Sequence, residues 1–232
     1  MAHSCLLYYI TDRSQFRGDE PTRRCDLLAK VAEAACAGVD YIQVREKDLS
    51  ARELEMLAKD ALAAMRNNTP LRTENRELRT GREVRTRLLI NSRTDVALAA
   101  GADGVHLRAN DVAPHEVRRV LEVYAHRLPT TDRFLVVASC HSNEDVIHAE
   151  SEQADFSVFA PVFGKRGTAG KAPAGLTALH EACRAKIPVL ALGGISIENA
   201  ASCLTAGAAG IAGIRLFQEN KIEDVVRALR AL

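Results

Sequence analysis

The sequence predicts an α/β fold, a single-domain (β/α)8 TIM barrel spanning residues 1–232, and three observations carry that reading. Eight short apolar runs alternate with eight amphipathic ones, the apolar runs are continuous, and three helical segments leave through the same glycine-containing exit. A chain of 232 residues suits one α/β barrel and leaves little for a second domain. The apolar set is 47% and charged residues 26%, enough for a sizeable core. Aromatics reach only 4% with no Trp, so the core rests on Ala, Val, Leu and Ile, and a base-stacking nucleic-acid platform is disfavoured.

The candidate strands are Leu6 to Ile10, Tyr41 to Val44, Leu88 to Ile90, Gly104 to Leu107, Phe134 to Ala138, Phe156 to Phe159, Val189 to Leu192 and Gly210 to Ile214. A run that stays apolar at every position is what a strand covered on both faces shows. Between and after them lie helical patterns over Arg23 to Ala37, Ala51 to Arg66, Thr94 to Ala100, Pro114 to His126, Asn143 to Glu152, Leu176 to Ala185, Ile197 to Ala206 and Ile222 to Leu232. Ser50 with Glu53 makes a capping box, Pro114 opens a helix, and Ser196 precedes another. Gly38, Gly101 and Gly207 each supply the left-handed residue that ends a helix and turns the chain into the next strand. Repetition of that unit implies parallel pairing with right-handed crossovers. An open dinucleotide-binding sheet wants a Gly-x-Gly-x-x-Gly turn after its first strand, where this chain has Thr11-Asp12-Arg13.

Residues 66–87 break the rhythm as an Arg-rich insert with seven arginines against three glutamates. Chain order places it at the barrel face opposite the usual active site, so it reads as a solvated extension of the second helix and its loop, with an anion-binding arm or subunit contact as the alternative. The net charge of +1 gives no global field for nucleic acid or an anionic membrane. The six cysteines show no metal-type spacing and read as reduced, mostly packing residues. No stretch reaches the length of a membrane span, and Leu6 to Ile10 is too short for a signal-peptide core, so a cytoplasmic location is expected.

In a parallel barrel the C-terminal strand ends converge on one mouth. Gln43, Arg45 and Lys47 alternate along one such end and so point together, two cations and an amide at a pitch suited to a diphosphate, or else members of a salt bridge with Glu46 and nearby acids. Gly193 and Gly194 join a strand to a helix whose free amides suit a phosphate, or form a plain tight turn. Asp12 and Asp111 follow strand ends and are candidate Mg2+ ligands, or helix caps. Asn91, Ser92, His106, Ser139, His141, Ile214 and Arg215 stand at other strand ends, and the histidines taken alone decide little.

The order of Ile10-Thr11-Asp12, Gln43-x-Arg45-x-Lys47, Leu89-Ile90-Asn91, Gly101-Ala102-Asp103-Gly104-Val105-His106-Leu107 and Leu192-Gly193-Gly194-Ile195 resembles the thiamine-phosphate synthase and thiazole tautomerase superfamily over about Tyr9 to Ala228. The resemblance implies a transferase of thiamine biosynthesis in which a pyrimidine methyl diphosphate loses pyrophosphate with Mg2+ help and a thiazole phosphate captures the cation. Carried over, Gln43, Arg45, Lys47 and Asn91 would hold the pyrimidine diphosphate, and Asp111 would be a metal ligand with Ser92 beside it. Ser139 would contact the diphosphate or the pyrimidine, and Gly193, Gly194, Ile214 and Arg215 would lie at the thiazole phosphate. Expected partners are small phosphorylated molecules, neither nucleic acid nor membrane, with a homo-oligomer left open.

The chain also departs from the synthase pattern. Ser92 replaces a second metal-binding Asp, Arg108-Ala109-Asn110-Asp111 replaces Gly-Gln-x-Asp, Gly164 to Lys171 replaces a Thr-x-Thr-Lys loop, and Arg215 replaces a small Ser. Lys165 in the altered loop is a candidate substitute for the missing Lys. The tautomerase branch, with His141 moving a proton on a thiazole carboxylate phosphate, and a non-catalytic barrel that binds thiamine precursors are the alternatives. The intact Gln43, Arg45 and Lys47 set favours the synthase.

Overall fold

A computed structural model describes residues 5–67, 85–124, 133–164 and 172–232. Eight parallel strands close into a barrel in chain order: β1 (Leu6–Ile10), β2 (Tyr41–Val44), β3 (Arg87–Asn91), β4 (Gly104–Leu107), β5 (Leu135–Cys140), β6 (Phe156–Phe159), β7 (Val189–Ala191) and β8 (Gly210–Gly213). Closure is by β8 on β1, with Leu6 opposite Gly210 and Tyr9 opposite Gly213. The helices are α1 (Glu20–Ala37), α2 (Ala51–Asn67), α3 (Thr94–Ala100), α4 (Pro114–Tyr124), α5 (Asn143–Ser151), α6 (Gly175–Ala182), α7 (Ile197–Thr205), α8 (Arg215–Gln218) and α9 (Ile222–Arg230).

The continuous apolar runs are explained by two cores. Alternate residues face opposite sides of a strand, so Tyr8, Ile10, Leu89, Val137, Phe156, Val158, Leu190 and Ala212 fill the barrel, while Leu7, Tyr9, Ile42, Leu88, Ile90, Phe159 and Ile211 meet the helices. Tyr8, Tyr41 and Phe156 pack together, with the Tyr41 and Phe156 centroids 4.9 Å apart, and close the barrel interior toward its N-terminal end. The outer layer follows from helical spacing. In α9, Ile222, Val225, Val226 and Leu229 lie on one stripe and are buried, each contributing roughly 1.5–3 kcal/mol.

The three expected glycine exits are present, with φ of 85° at Gly38, 72° at Gly101 and 102° at Gly207. Ser50 and Glu53 exchange backbone hydrogen bonds as a capping box. Several boundaries move. Helix α1 starts at Glu20, three residues early, because Asp19 accepts from the Thr22 amide and Pro21 sits in the first turn. Strand β5 runs to Cys140, which puts Ser139 inside the ladder opposite Val158. Strands β7 and β8 each stop one residue short of the expected end. The short α8 follows β8 after one residue and has only four residues, too few to show a helical period, although Leu216 and Phe217 resume the apolar pattern past Arg215.

The ends of the Arg-rich insert are tied into the barrel: Arg66 belongs to α2, Arg87 opens β3, and Arg85 pairs with Asp103. Residues 68–84, on which the remainder of that expectation falls, lie outside the described residues, as does the end of the fourth helical pattern at His126. No described helix is long and apolar enough to cross a membrane.

Candidate active site at the barrel mouth

Where the strand ends converge, β2 carries the most heavily supported segment. Glu46 does not pair with Arg45. Its carboxylate is buried, accepting from the Thr11 hydroxyl at 2.6 Å, the Arg13 amide at 3.0 Å and the Arg13 guanidinium at 3.1 Å. Arg13, itself buried, also grips Asp48 with two hydrogen bonds of 2.7 Å and Glu20 with one of 2.6 Å. One guanidinium therefore holds the residues on both sides of Lys47, and the Thr11 hydroxyl holds the Arg45 amide at 3.0 Å. These carboxylates, with the Asp48 hydrogen bonds foremost, raise the Arg13 pKa further above its ordinary value. Half-buried Arg45 is left with no carboxylate partner among the described residues, and Lys47 is exposed at the rim.

A second line of side chains crosses from β2 to β4. The Gln43 amide donates to Asn91 Oδ1 at 2.9 Å, and the Asn91 amide donates to Ser92 Oγ at 3.0 Å. Ser92, in the left-handed region at φ 62°, stands beside Asp111. Burial pushes the Asp111 carboxyl up, but hydrogen bonds from Arg108 and from the Ser92 hydroxyl outweigh it and leave the pKa below the usual carboxylate value. Arg108 holds Asp111 through its backbone amide at 2.7 Å and its guanidinium at 2.9 Å. Gln43 is 1% exposed, and its Oε1 is a buried acceptor with no hydrogen-bond partner among the described residues.

Across the barrel interior, Tyr8 Oη lies 2.9 Å from His106 Nδ1, and His106 Nε2 lies 2.9 Å from Ser139 Oγ. Burial, helped by the Arg45 charge and opposed by Asp111, pushes the His106 pKa down to about 3, so the ring is neutral near pH 7. His141 is exposed at the rim with Nδ1 2.6 Å from the Ala160 carbonyl. A carbonyl only accepts, so Nδ1 carries a proton there.

From β6 to β8 the mouth is mostly backbone. Gly193 (φ 102°) and Gly194 (φ 63°) pack on the loop after β6: a Cβ on Gly193 would stand 2.8 Å from Pro161, and one on Gly194 would stand 2.7 Å from the Gly164 carbonyl oxygen. Glycine is required for that contact. Among the described residues the amides of Gly193, Gly194 and Ile195 donate no hydrogen bond. Ile214 packs on the inner core, and Arg215 opens α8 with Nε 3.9 Å from the Glu219 carboxylate. Lys165 lies outside the described residues.

The structure thus brings together Gln43, Asn91, Ser92 and Asp111, and joins Ser139 to His106. Asp12 stands apart from this group: its carboxylate accepts from Ser14 at 2.5 Å and Gln15 at 2.9 Å, and its backbone is tied to Gln218. Reading the sequence alone missed Tyr8, Arg13, Glu46 and Arg108. Glu46 falls out of phase with Arg45 and Lys47 and so had to face the other way, and Tyr8 and His106 sit at inward positions with polar tips that need partners.

This is a (β/α)8 barrel whose mouth combines a guanidinium, an amide acceptor and backbone amides that have no partner among the described residues, the composition of a phosphate-handling barrel. The family model described as thiamine monophosphate synthase matches residues 7–217, and the chain belongs to that family. Among its relatives, the thiamine-phosphate synthase of Methanoculleus marisnigri is 36% identical, covering 97% of this chain and 93% of its own. That of Syntrophomonas wolfei is 34% identical, with 97% and 95% covered. The thiamine phosphate pyrophosphorylase structure from Pyrococcus furiosus superposes with a TM-score of 0.74 at 26% identity, over 99% of this chain and 95% of that one.

Proposed function

We propose that this chain is a transferase that joins a hydroxymethylpyrimidine diphosphate to a thiazole phosphate, giving thiamine phosphate and pyrophosphate. The carrying observation is that Arg45 has no carboxylate partner among the described residues, while the neighbouring Glu46 is committed to Arg13 and Thr11. A guanidinium held at its backbone but uncommitted at its tip suits a diphosphate. The bond from the pyrimidine methylene carbon to the diphosphate oxygen breaks, pyrophosphate keeps the electron pair, and the thiazole ring nitrogen donates its lone pair to form the new C–N bond. Arg45, Lys47 and Ser139 face the oxygens on which charge grows, the kind of assistance a departing diphosphate needs more than a strong base. Gln43 Oε1 accepts from an amino group on the pyrimidine, and Asn91 fixes the Gln43 orientation. Gly193, Gly194, Ile214 and Arg215 hold the thiazole phosphate.

Among the described residues no three His, Cys, Asp or Glu side chains converge into a metal cage. One carboxylate beside one hydroxyl does fit Mg2+, which keeps its waters and takes the remaining oxygens from a phosphate. Asp111 and Ser92 would hold it, and bound there it would neutralise charge on the diphosphate. Before that, Asp111 must exchange its Arg108 bonds.

The test is to mix both precursors with Mg2+ and the protein and to measure thiamine phosphate and pyrophosphate together. Equal amounts of the two are expected, and pyrophosphate without thiamine phosphate would leave only a hydrolase. The tautomerase reading draws on His141, whose Nε2 has no hydrogen-bond partner among the described residues. Isomerisation of a thiazole carboxylate phosphate without any pyrimidine substrate would favour it.

A further inference from the structure

Tyr8, His106 and Ser139 form a chain of three side chains from the closed interior of the barrel to its mouth, with both contacts at 2.9 Å. Tyr8 is fully buried and His106 is 3% exposed, whereas Ser139 is half-buried at the open end. A neutral imidazole donates through one nitrogen and accepts through the other, so the chain has a direction. If Nδ1 carried the proton it would donate to the Tyr8 oxygen, and the Tyr8 hydroxyl proton would then have no acceptor, since Tyr8 Oη has no other partner among the described residues. An unmade bond in that interior costs the full desolvation of the donor. If instead Tyr8 donates to Nδ1, the ring proton sits on Nε2 and is given to Ser139 Oγ. The Ser139 oxygen is then an acceptor from within, and its own proton points outward.

We infer that Tyr8 and His106 are positioning residues that hold Ser139 as a hydrogen-bond donor toward an anionic oxygen in the mouth. Neither touches the ligand. Their effect is to remove the arrangement in which the Ser139 proton is spent on the imidazole and a lone pair faces the anion. The inference rests on the proposed reaction only for the identity of that anion, taken here as a diphosphate oxygen.

Two measurements on the full-length protein test it. Ring-nitrogen NMR of isotope-labelled protein is expected to show His106 protonated at Nε2 and bare at Nδ1, with that preference weakened in Tyr8→Phe. A ring protonated at Nδ1 in the wild type overturns the inference. Binding of inorganic pyrophosphate is then compared in wild type, Tyr8→Phe, Ser139→Ala and the double variant. Tyr8→Phe is expected to weaken binding about tenfold in the wild-type background, the scale of one hydrogen bond to a charged group. In the Ser139→Ala background the same change is expected to cost less than about twofold, because partners in one network are not additive. An equal loss in both backgrounds means Tyr8 acts on the fold rather than through Ser139. His106→Gln, which keeps an N–H toward Ser139, is expected to bind pyrophosphate better than His106→Leu, and the reverse order contradicts the inference. If the wild type binds no pyrophosphate, the substrate reading fails, and the tautomer and its response to Tyr8→Phe decide the positioning role.

Discussion

Around β1 to β5 the mouth is made of side chains that hold one another, whereas from β6 to β8 it is made of backbone that fits only because side chains are missing. In the first part Arg13 grips Glu46, Asp48 and Glu20, Gln43 leans on Asn91, and His106 joins Tyr8 to Ser139. In the second, Gly193 and Gly194 lie against Pro161 and Gly164 at distances that leave no room for a Cβ. The difference teaches where each part is fragile. Removing a side chain should break the first part, and adding one should break the second.

The largest effect is expected where a charge would be stranded. Arg13→Ala leaves Glu46 buried, with a side chain only 2% exposed and no cation beside it, and breaking such a pair costs about 3–5 kcal/mol. Denaturant unfolding should show that loss. Asp48→Asn is the control, because Asp48 is 71% exposed and exposed pairs are worth roughly 0–1 kcal/mol. Similar losses in the two variants would mean that the buried arm of the network is not the one that matters.

Arg45→Ala should separate function from stability within the same strand end. Arg45 has no ion-pair partner among the described residues to abandon, so stability should hold while turnover falls by about 100-fold or more, the scale seen when one charge-stabilising donor is removed. Steady-state kinetics beside an unfolding curve distinguish the outcomes. A variant that unfolds early and keeps its turnover would return Arg45 to the structural salt-bridge reading.

The glycine half is tested by Gly193→Ala. Its φ of 102° and the 2.8 Å approach to Pro161 add strain to a clash with backbone, together roughly 1–3 kcal/mol. Gly101→Ala supplies the comparison, since φ there is 72° with nothing within 4 Å of the added carbon, leaving only a left-handed penalty of about 1–2 kcal/mol. Only Gly193→Ala should also weaken binding of the thiazole phosphate. If both variants lose the same stability and neither loses affinity, the Gly193 turn is a connection and not part of the site.

The same division explains what could be read from the sequence. Closed parallel topology was legible because it depends on local signals repeated many times: apolar runs, capping boxes and the exits at Gly38, Gly101 and Gly207. A period of two along one strand end groups Gln43, Arg45 and Lys47 and sets Glu46 apart, and Glu46 does turn away to Arg13. What escaped was any partnership between distant positions. Glu46 is 33 positions from Arg13, and His106 is 98 from Tyr8, and no spacing rule connects such pairs. The extension of β5 escaped for a related reason, since polar Ser139 ends the apolar run although it stays in the ladder to face the mouth. Gly193 and Gly194 were legible as a turn, but their packing on Pro161 and Gly164 depends on a neighbouring loop brought over by the fold.

Arg215 stands on the border between the two parts, a long side chain at a backbone-built edge, and should give the smallest effect. It is 58% exposed and lies 3.9 Å from the Glu219 carboxylate one helical turn away, an outer-limit distance between two solvated groups. Such a pair contributes roughly 0–1 kcal/mol and is easily exchanged for another anion. Arg215→Ser should therefore leave the unfolding curve unmoved within about 0.5 kcal/mol. Calorimetric titration with thiazole phosphate should show a loss of about fivefold, less than a bidentate guanidinium contact in a buried site would give, because solvent screens a group this exposed. A much larger loss would mean that Arg215 swings inward and buries itself against the phosphate, making the second half of the mouth depend on a side chain after all. No loss would leave Gly193, Gly194 and their amides as the whole of the phosphate site, and the contrast between the two halves would then be complete.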